Sequence, residues 1–267
     1  MSELVLIETG LYILTGALAG FAAGLLGVGG GLIIVPVLYF IFSTQAYDQQ
    51  YLMHMALATS LATIIITSIS STRAHHKRQA VLWHLVVLLS PGIIIGAWLG
   101  GIAAAQLDTQ ILSRSFAVFE LLVAINLLLK IQTTNTASQI GKLSATAGGI
   151  FIGFISTIVG IGGGTLTVPF LHWFNIPMRK AVATSAACGF PIALIGTASY
   201  VYASWNVDTG SAFSLGYLQL YAMTIIASCS FIFAPLGAKV AHSISEKKLR
   251  ISFAGLLLIL SITMYLS

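Results

Sequence analysis

The sequence predicts an all-α integral membrane protein of about ten helical segments, arranged as two related halves. Three observations carry that prediction. Of 267 residues, 12 are Lys or Arg and 7 are Asp or Glu, against 57% hydrophobic residues and a mean hydropathy of +0.97. Soluble domains carry about 25% charged residues, so 7% cannot cover a water-facing surface of this size. Apolar runs then follow one another along the whole chain, and no polar stretch is long enough for an extramembrane head. Finally, one glycine-rich pattern occurs twice.

The first half holds apolar runs at 10–27, 31–42, 53–72, 81–105 and 111–130; the second holds runs at 143–159, 164–174, 181–203, 212–240 and 251–266. About 20 residues at 1.5 Å each cross a hydrocarbon core of about 30 Å, and most runs reach or approach that length. Two do not. As helices, 31–42 and 164–174 would cover only about 17 to 18 Å, roughly half the membrane.

Each short run follows a glycine cluster, Gly27-Val28-Gly29-Gly30-Gly31 or Gly160-Ile161-Gly162-Gly163-Gly164. Pro36 and Leu38 follow the first as Pro169 and Leu171 follow the second. The tract Ala58-Thr59-Ser60 recurs as Ala183-Thr184-Ser185, and Ala97, Leu99, Gly100 and Phe116 recur as Ala234, Leu236, Gly237 and Phe253. Such self-similarity marks a tandem duplication. We divide the one membrane domain into repeats at 1–135 and 136–267.

The distribution of Lys and Arg chooses between two topologies. If each glycine cluster merely interrupts one long span, the basic loops fall almost evenly on both sides. If each cluster turns the chain into a hairpin, Arg73, Lys77, Arg78, Lys130, Lys142, Arg179, Lys180, Lys239, Lys247, Lys248 and Arg250 share one side, with only Arg114 opposite. Basic loops stay cytoplasmic. We therefore expect the hairpin arrangement, which makes the halves inverted repeats with two short broken or re-entrant helices and both termini external.

A glycine break inside hydrocarbon leaves backbone groups that lipid cannot satisfy, so it must face protein, water or a ligand. The short helices begin at the glycines, which aims their positive N-terminal ends at the membrane middle. Two facing N-termini form a site for a small anion, as in secondary transporters with discontinuous helices. The candidate binding residues are Gly27, Gly29, Gly30, Gly31, Gly160, Gly162, Gly163 and Gly164, with the hydroxyls of Thr59, Ser60, Thr165, Thr184 and Ser185. Hydroxyls donate hydrogen bonds without a fixed charge that would slow release. The competing reading is that the glycines only permit tight helix packing and the hydroxyls bond their own helices.

Glu120 is the one acidic residue near the middle of a span. An intramembrane carboxyl is costly and a functional suspect; hydrocarbon favours its neutral form, which makes it a candidate for proton coupling. No Cys-x-x-Cys, paired-histidine, nucleotide-binding or hydrolase motif is present, so no cofactor, metal, nucleic acid or catalytic residue is expected.

The doubled motif, Gly27-Val-Gly-Gly-Gly-Leu-Ile-Ile-Val-Pro36-Val-Leu38 and Gly160-Ile-Gly-Gly-Gly-Thr-Leu-Thr-Val-Pro169-Phe-Leu171, together with the two Ala-Thr-Ser tracts, resembles the TauE/SafE sulfite exporter family over essentially the whole chain. The resemblance implies a multi-pass permease of the bacterial inner membrane for sulfite, an organosulfonate or a related anion. The expected function is secondary transport, with sulfite export by alternating access around a midplane site in the lipid bilayer. Uptake of another organic or inorganic anion is the nearest alternative; a membrane-embedded enzyme or a scaffold is the alternative of a different class.

Overall fold

The computed structural model describes residues 2–26, 30–129, 140–211, 213–240 and 246–266. Its helices are α1 (Ser2–Leu26), α2 (Gly31–Ser43), α3 (Leu52–Lys77), α4 (Trp83–Ala104), α5 (Thr109–Leu129), α6 (Lys142–Ile158), α7 (Gly164–Trp173), α8 (Met178–Ala203), α9 (Leu220–Val240) and α10 (Glu246–Leu266). Six helices among the described residues are long and apolar enough to cross a membrane. The protein is an all-α, multi-pass membrane protein. The two short runs fold as α2 and α7, of 13 and 10 residues, each starting at the last glycine of its cluster.

One run begins later than its hydropathy suggests. Residues 214–219 form a two-stranded antiparallel hairpin, β1 (Ser214–Leu215) against β2 (Leu218–Gln219), and α9 starts only at Leu220. Gly216 takes a φ of +56° at the turn, and the Ser204 hydroxyl accepts the Tyr217 N–H at 2.8 Å. A left-handed glycine ends helical propagation, which apolar content alone does not reveal.

Hydrogen bonds between loops define the two faces. The Asp48 N–H donates to the Thr209 carbonyl, and the Thr109 hydroxyl to the Gln50 carbonyl, which gathers the α2–α3, α4–α5 and α8–α9 connections at one face. At the other, the Leu82 N–H before α4 donates to Thr184 near the start of α8. Consequently α1 enters from the first face and α2 returns to it, whereas α6 enters from the second face and α7 returns there.

The centre is built from α3 and α8. On α3 every residue from Leu52 to Ile64 is buried, and α8 buries thirteen of its residues. Around them, apolar side chains such as Leu14, Val87, Ile94, Phe151 and Ile259 remain exposed, as lipid-facing residues do.

Two pairs of parallel helices close the bundle. Along α4, Gly92, Gly96 and Gly100 lie at i, i+4, i+8 and press on Thr146, Ile150 and Phe154 of α6, while Gly149 and Gly153 press back on Leu89 and Ile93. At the other side Gly16 and Gly20 of α1 approach Ile226 and Ser230 of α9, and the Ser230 hydroxyl donates to the Gly16 carbonyl at 2.9 Å. Without Cβ atoms the backbones approach closely, which is how membrane helices gain packing energy where lipid offers no hydrophobic drive. A Cβ at Gly96 would collide with the Ile150 carbonyl. Gly96→Val is therefore expected to lower stability in detergent by about 1–3 kcal/mol; an unchanged unfolding midpoint would rule out the close seam.

Candidate functional site

The second break is made by a helix ending and a helix starting within five residues. At its C-terminus, the Gly160 N–H donates to the Thr157 carbonyl (3.2 Å) and the Ile161 N–H to the Ser156 carbonyl (2.9 Å). This double closure requires a left-handed residue at its turn, and Gly160 has φ +66°. The chain then restarts at Gly164. The Thr167 N–H is the first to find a carbonyl of its own helix, that of Gly163 at 2.8 Å, and no side chain caps the end. The N–H groups of the first turn of α7 thus lack helical partners. At the first break Ile33 and Ile34 both donate to the Gly30 carbonyl at 3.0 Å, and again no side chain caps the helix.

The two breaks touch. A Cβ at Gly31 would lie 2.8 Å from the Gly160 carbonyl oxygen and 2.9 Å from Cα of Ile161. The fully buried Ser60 hydroxyl donates to that same Gly160 carbonyl at 2.8 Å, tying α3 to the second break. The remaining motif glycines differ in how tightly they are held. At Gly163 a Cβ would come 3.1 Å from the Ser185 carbonyl and 3.1 Å from the Thr167 hydroxyl; at Gly162 its nearest neighbour would be a methyl of Ile64 at 3.3 Å. Gly164 is buried as the first residue of α7. Gly27 and Gly29 lie outside the described residues.

The paired hydroxyls take up scaffold contacts. Thr59 accepts the Gln219 N–H just before α9, and Thr184 accepts the Leu82 N–H just before α4, both at 3.1 Å. These are matching bonds between matching positions of the two halves, and each anchors the entry of a helix. The Ser185 hydroxyl donates to the Val182 carbonyl at 2.8 Å. Ser60 is thus the member of the four that reaches a glycine break.

A different set of hydroxyls has no protein partner. Ser156, Thr157, Thr165, Thr167 and Thr197 each carry a buried, unpaired hydroxyl oxygen. Buried polar groups are nearly always paired, so a cluster of orphans marks a place where water or a ligand completes the bonding. Thr167 sits against Gly163, which itself approaches the Ser185 carbonyl and Ile192. Thr157 sits against Gly196 one turn further along α8, and its carbonyl accepts the Tyr200 hydroxyl at 3.3 Å. Of these, only Thr165 stands among the candidates expected from sequence. Thr167 also stands close to the second cluster in the sequence, whereas Ser156, Thr157 and Thr197 come from α6 and α8, which spacing along one helix does not relate. Duplication even pointed away from them: Ala23, Gly24, Leu32 and Ile34 occupy the first-half positions matching Ser156, Thr157, Thr165 and Thr167.

Glu120 is fully buried, and neither carboxyl oxygen has a hydrogen-bond partner. The Ser113 hydroxyl donates to the Met264 carbonyl (2.9 Å) and the Ser261 hydroxyl to the Ala117 carbonyl (2.8 Å), so α5 and α10 run antiparallel. One turn further in this register, Glu120 is level with Leu257, the residue at its own position in the other half.

A family model described as sulfite exporter TauE/SafE matches residues 12–264. A protein of Haemophilus influenzae named a probable membrane transporter protein is 37% identical over 96% of this chain and 97% of its own length. Probable membrane transporter proteins of Methanocaldococcus jannaschii and Bacillus subtilis are 29% and 28% identical, over 96% and 89% of this chain and 95% and 88% of their own lengths. No solved structure matches the chain.

Proposed function

The chain belongs to the sulfite exporter TauE/SafE family of membrane transporters, and we propose that it is a secondary transporter of a small sulfur oxyanion, with sulfite export as its activity. The observation that carries this reading is the contact between the two glycine breaks beside five unpaired buried hydroxyls. Unsatisfied N–H groups and hydroxyls at helix N-termini are what an oxyanion needs in a site that excludes water.

In this reading the anion rests against the starts of α2 and α7. Gly30, Gly31, Gly160, Gly162, Gly163 and Gly164 supply close backbone approach, and Thr165 and its orphaned neighbours donate hydrogen bonds; Gly27 and Gly29 are assigned to the site by their place in the sequence motif alone. Ser60 holds the Gly160 carbonyl away from the anion's negative charge. Thr59, Thr184 and Ser185 fix the frame around the site. Residues 1–135 and 136–267 act as inverted halves that rock about this centre. The opposed hairpins α1–α2 and α6–α7 support that mechanism, and the basic loops support an inner membrane orientation with both termini outside. Glu120 is the candidate coupling group, exchanging a proton when the α5–α10 contact loosens.

The test is flux of labelled sulfite in proteoliposomes of the purified chain. Saturable, protein-dependent efflux is expected. Movement of other anions in preference to sulfite would select the uptake-permease alternative, and no anion flux at all would overturn the reading.

A further inference from the structure

We infer that the site between the two glycine breaks takes its anion as a singly charged species and rejects dianions, so that the transported form of sulfite is hydrogensulfite. This inference rests on the anion-site reading above and adds the charge class of the ligand. Two observations bear it. First, the described Lys and Arg residues lie within two turns of helix ends at the membrane faces, from Arg73 and Arg78 to Arg114, Lys142, Arg179 and Lys180. None reaches the break. The positive potential there comes from the starts of α2 and α7, each worth about half an elementary charge. Together they offset at most about one negative charge, because α6 ends in the same break with its negative pole.

Second, the side chains available are hydroxyls: Ser156, Thr157 and Thr167 are fully buried and unpaired, and Thr165 and Thr197 also carry unpaired oxygens. A hydroxyl both donates and accepts. It can therefore bond the charged oxygens of a monoanion and also receive a proton that the anion still carries. The cost of taking an ion out of water grows with the square of its charge, so a dianion costs about four times as much as a monoanion of the same size. A site with at most about one compensating charge and only neutral donors meets the smaller cost alone.

Of the titratable groups on the elements around the break, Tyr200 donates to the Thr157 carbonyl, Cys188 is buried on α8 and His54 on α3 near its start, bonded to the Ala104 carbonyl. Arg73, His75, His76, Lys77, Lys142, His172, Arg179, Lys180 and Tyr202 stand toward the helix ends, and Tyr39 lies on α2. Any effect of theirs on binding would scale with the charge of the anion, so it would also appear in the binding of a permanent monoanion. A permanently monoanionic sulfonate therefore serves as the internal control.

Binding to the purified full chain in detergent is to be measured by calorimetry for sulfite, methanesulfonate and sulfate from about pH 6 to about pH 9. Methanesulfonate affinity is expected to stay level, and sulfate to bind at least about a hundredfold more weakly. Sulfite, which loses its second proton near neutrality, should weaken about tenfold per pH unit above that ionisation. Thr167→Val should weaken methanesulfonate about tenfold and leave the sulfite slope unchanged; if that variant does not fold, the wild-type series decides by itself. Sulfite affinity that is flat or rises with pH, or sulfate within about tenfold of methanesulfonate, would overturn the charge selection while leaving the anion site standing. Failure of all three anions to bind would remove the site and this inference together.

Discussion

Replacing Gly31 with alanine is expected to cut anion flux at least tenfold. The added carbon would lie 2.8 Å from the Gly160 carbonyl oxygen and 2.9 Å from Cα of Ile161. Both are backbone atoms, fixed by the double closure that ends α6. Relief is available only by separating the two breaks, at an overpacking cost of about 1–3 kcal/mol. That displacement would also strain the Ser60 bond to Gly160 and move the starts of α2 and α7 apart. Gly162→Ala supplies a graded contrast, because its Cβ meets only a movable Ile64 methyl at 3.3 Å; a smaller loss of flux than at Gly31, with normal stability, is expected there. Gly255→Ala, with nothing within 4 Å, should leave both flux and stability unchanged. A Gly31→Ala protein with normal thermal stability and intact transport would refute a central role for the paired breaks.

Glu120→Gln is expected to abolish the response of transport to a pH gradient while leaving the protein folded. Glutamine is nearly the same size and always neutral, so it removes the exchangeable proton without placing a charge in the α5–α10 contact. The wild-type carboxyl has no partner on either oxygen, and a neutral carboxyl there is far less costly than an ionised one. Stability should therefore hold or rise slightly, which separates a transport defect from misfolding. In proteoliposomes, gradient-driven accumulation should fall about tenfold or more, and exchange between equal pH values should persist. Full retention of the gradient response would assign Glu120 a purely packing role.

Much of the fold was legible in the chain because the bilayer imposes a simple rule. Helices must run long enough to satisfy their own backbone, so apolar run length predicted nearly every element, including the half-length α2 and α7. It failed where local geometry outweighed hydropathy, at the Gly216 turn that delays α9. The site was legible in part. Glycine clusters announce themselves because only glycine tolerates the turn at 160 and the approach at 31. Repetition then singled out Thr59 and Thr184, yet these meet backbone N–H groups at helix entries. What duplication preserves best is the frame, since both halves need the same anchors to fold.

The sequence by itself determined a membrane protein of ten helical segments, two of them too short to cross, together with the positions of both breaks. Those follow from composition and chain geometry, which act locally. Only the tertiary structure decided that Gly31 lies against Gly160, that α4 and α6 close along a glycine seam, and that Ser156, Thr157, Thr165 and Thr167 beside the second break find no protein partner. Each depends on which residues meet across helices far apart in the chain. A hydroxyl's partner, or its lack of one, is a property of that meeting and is not written in the residue's own neighbourhood.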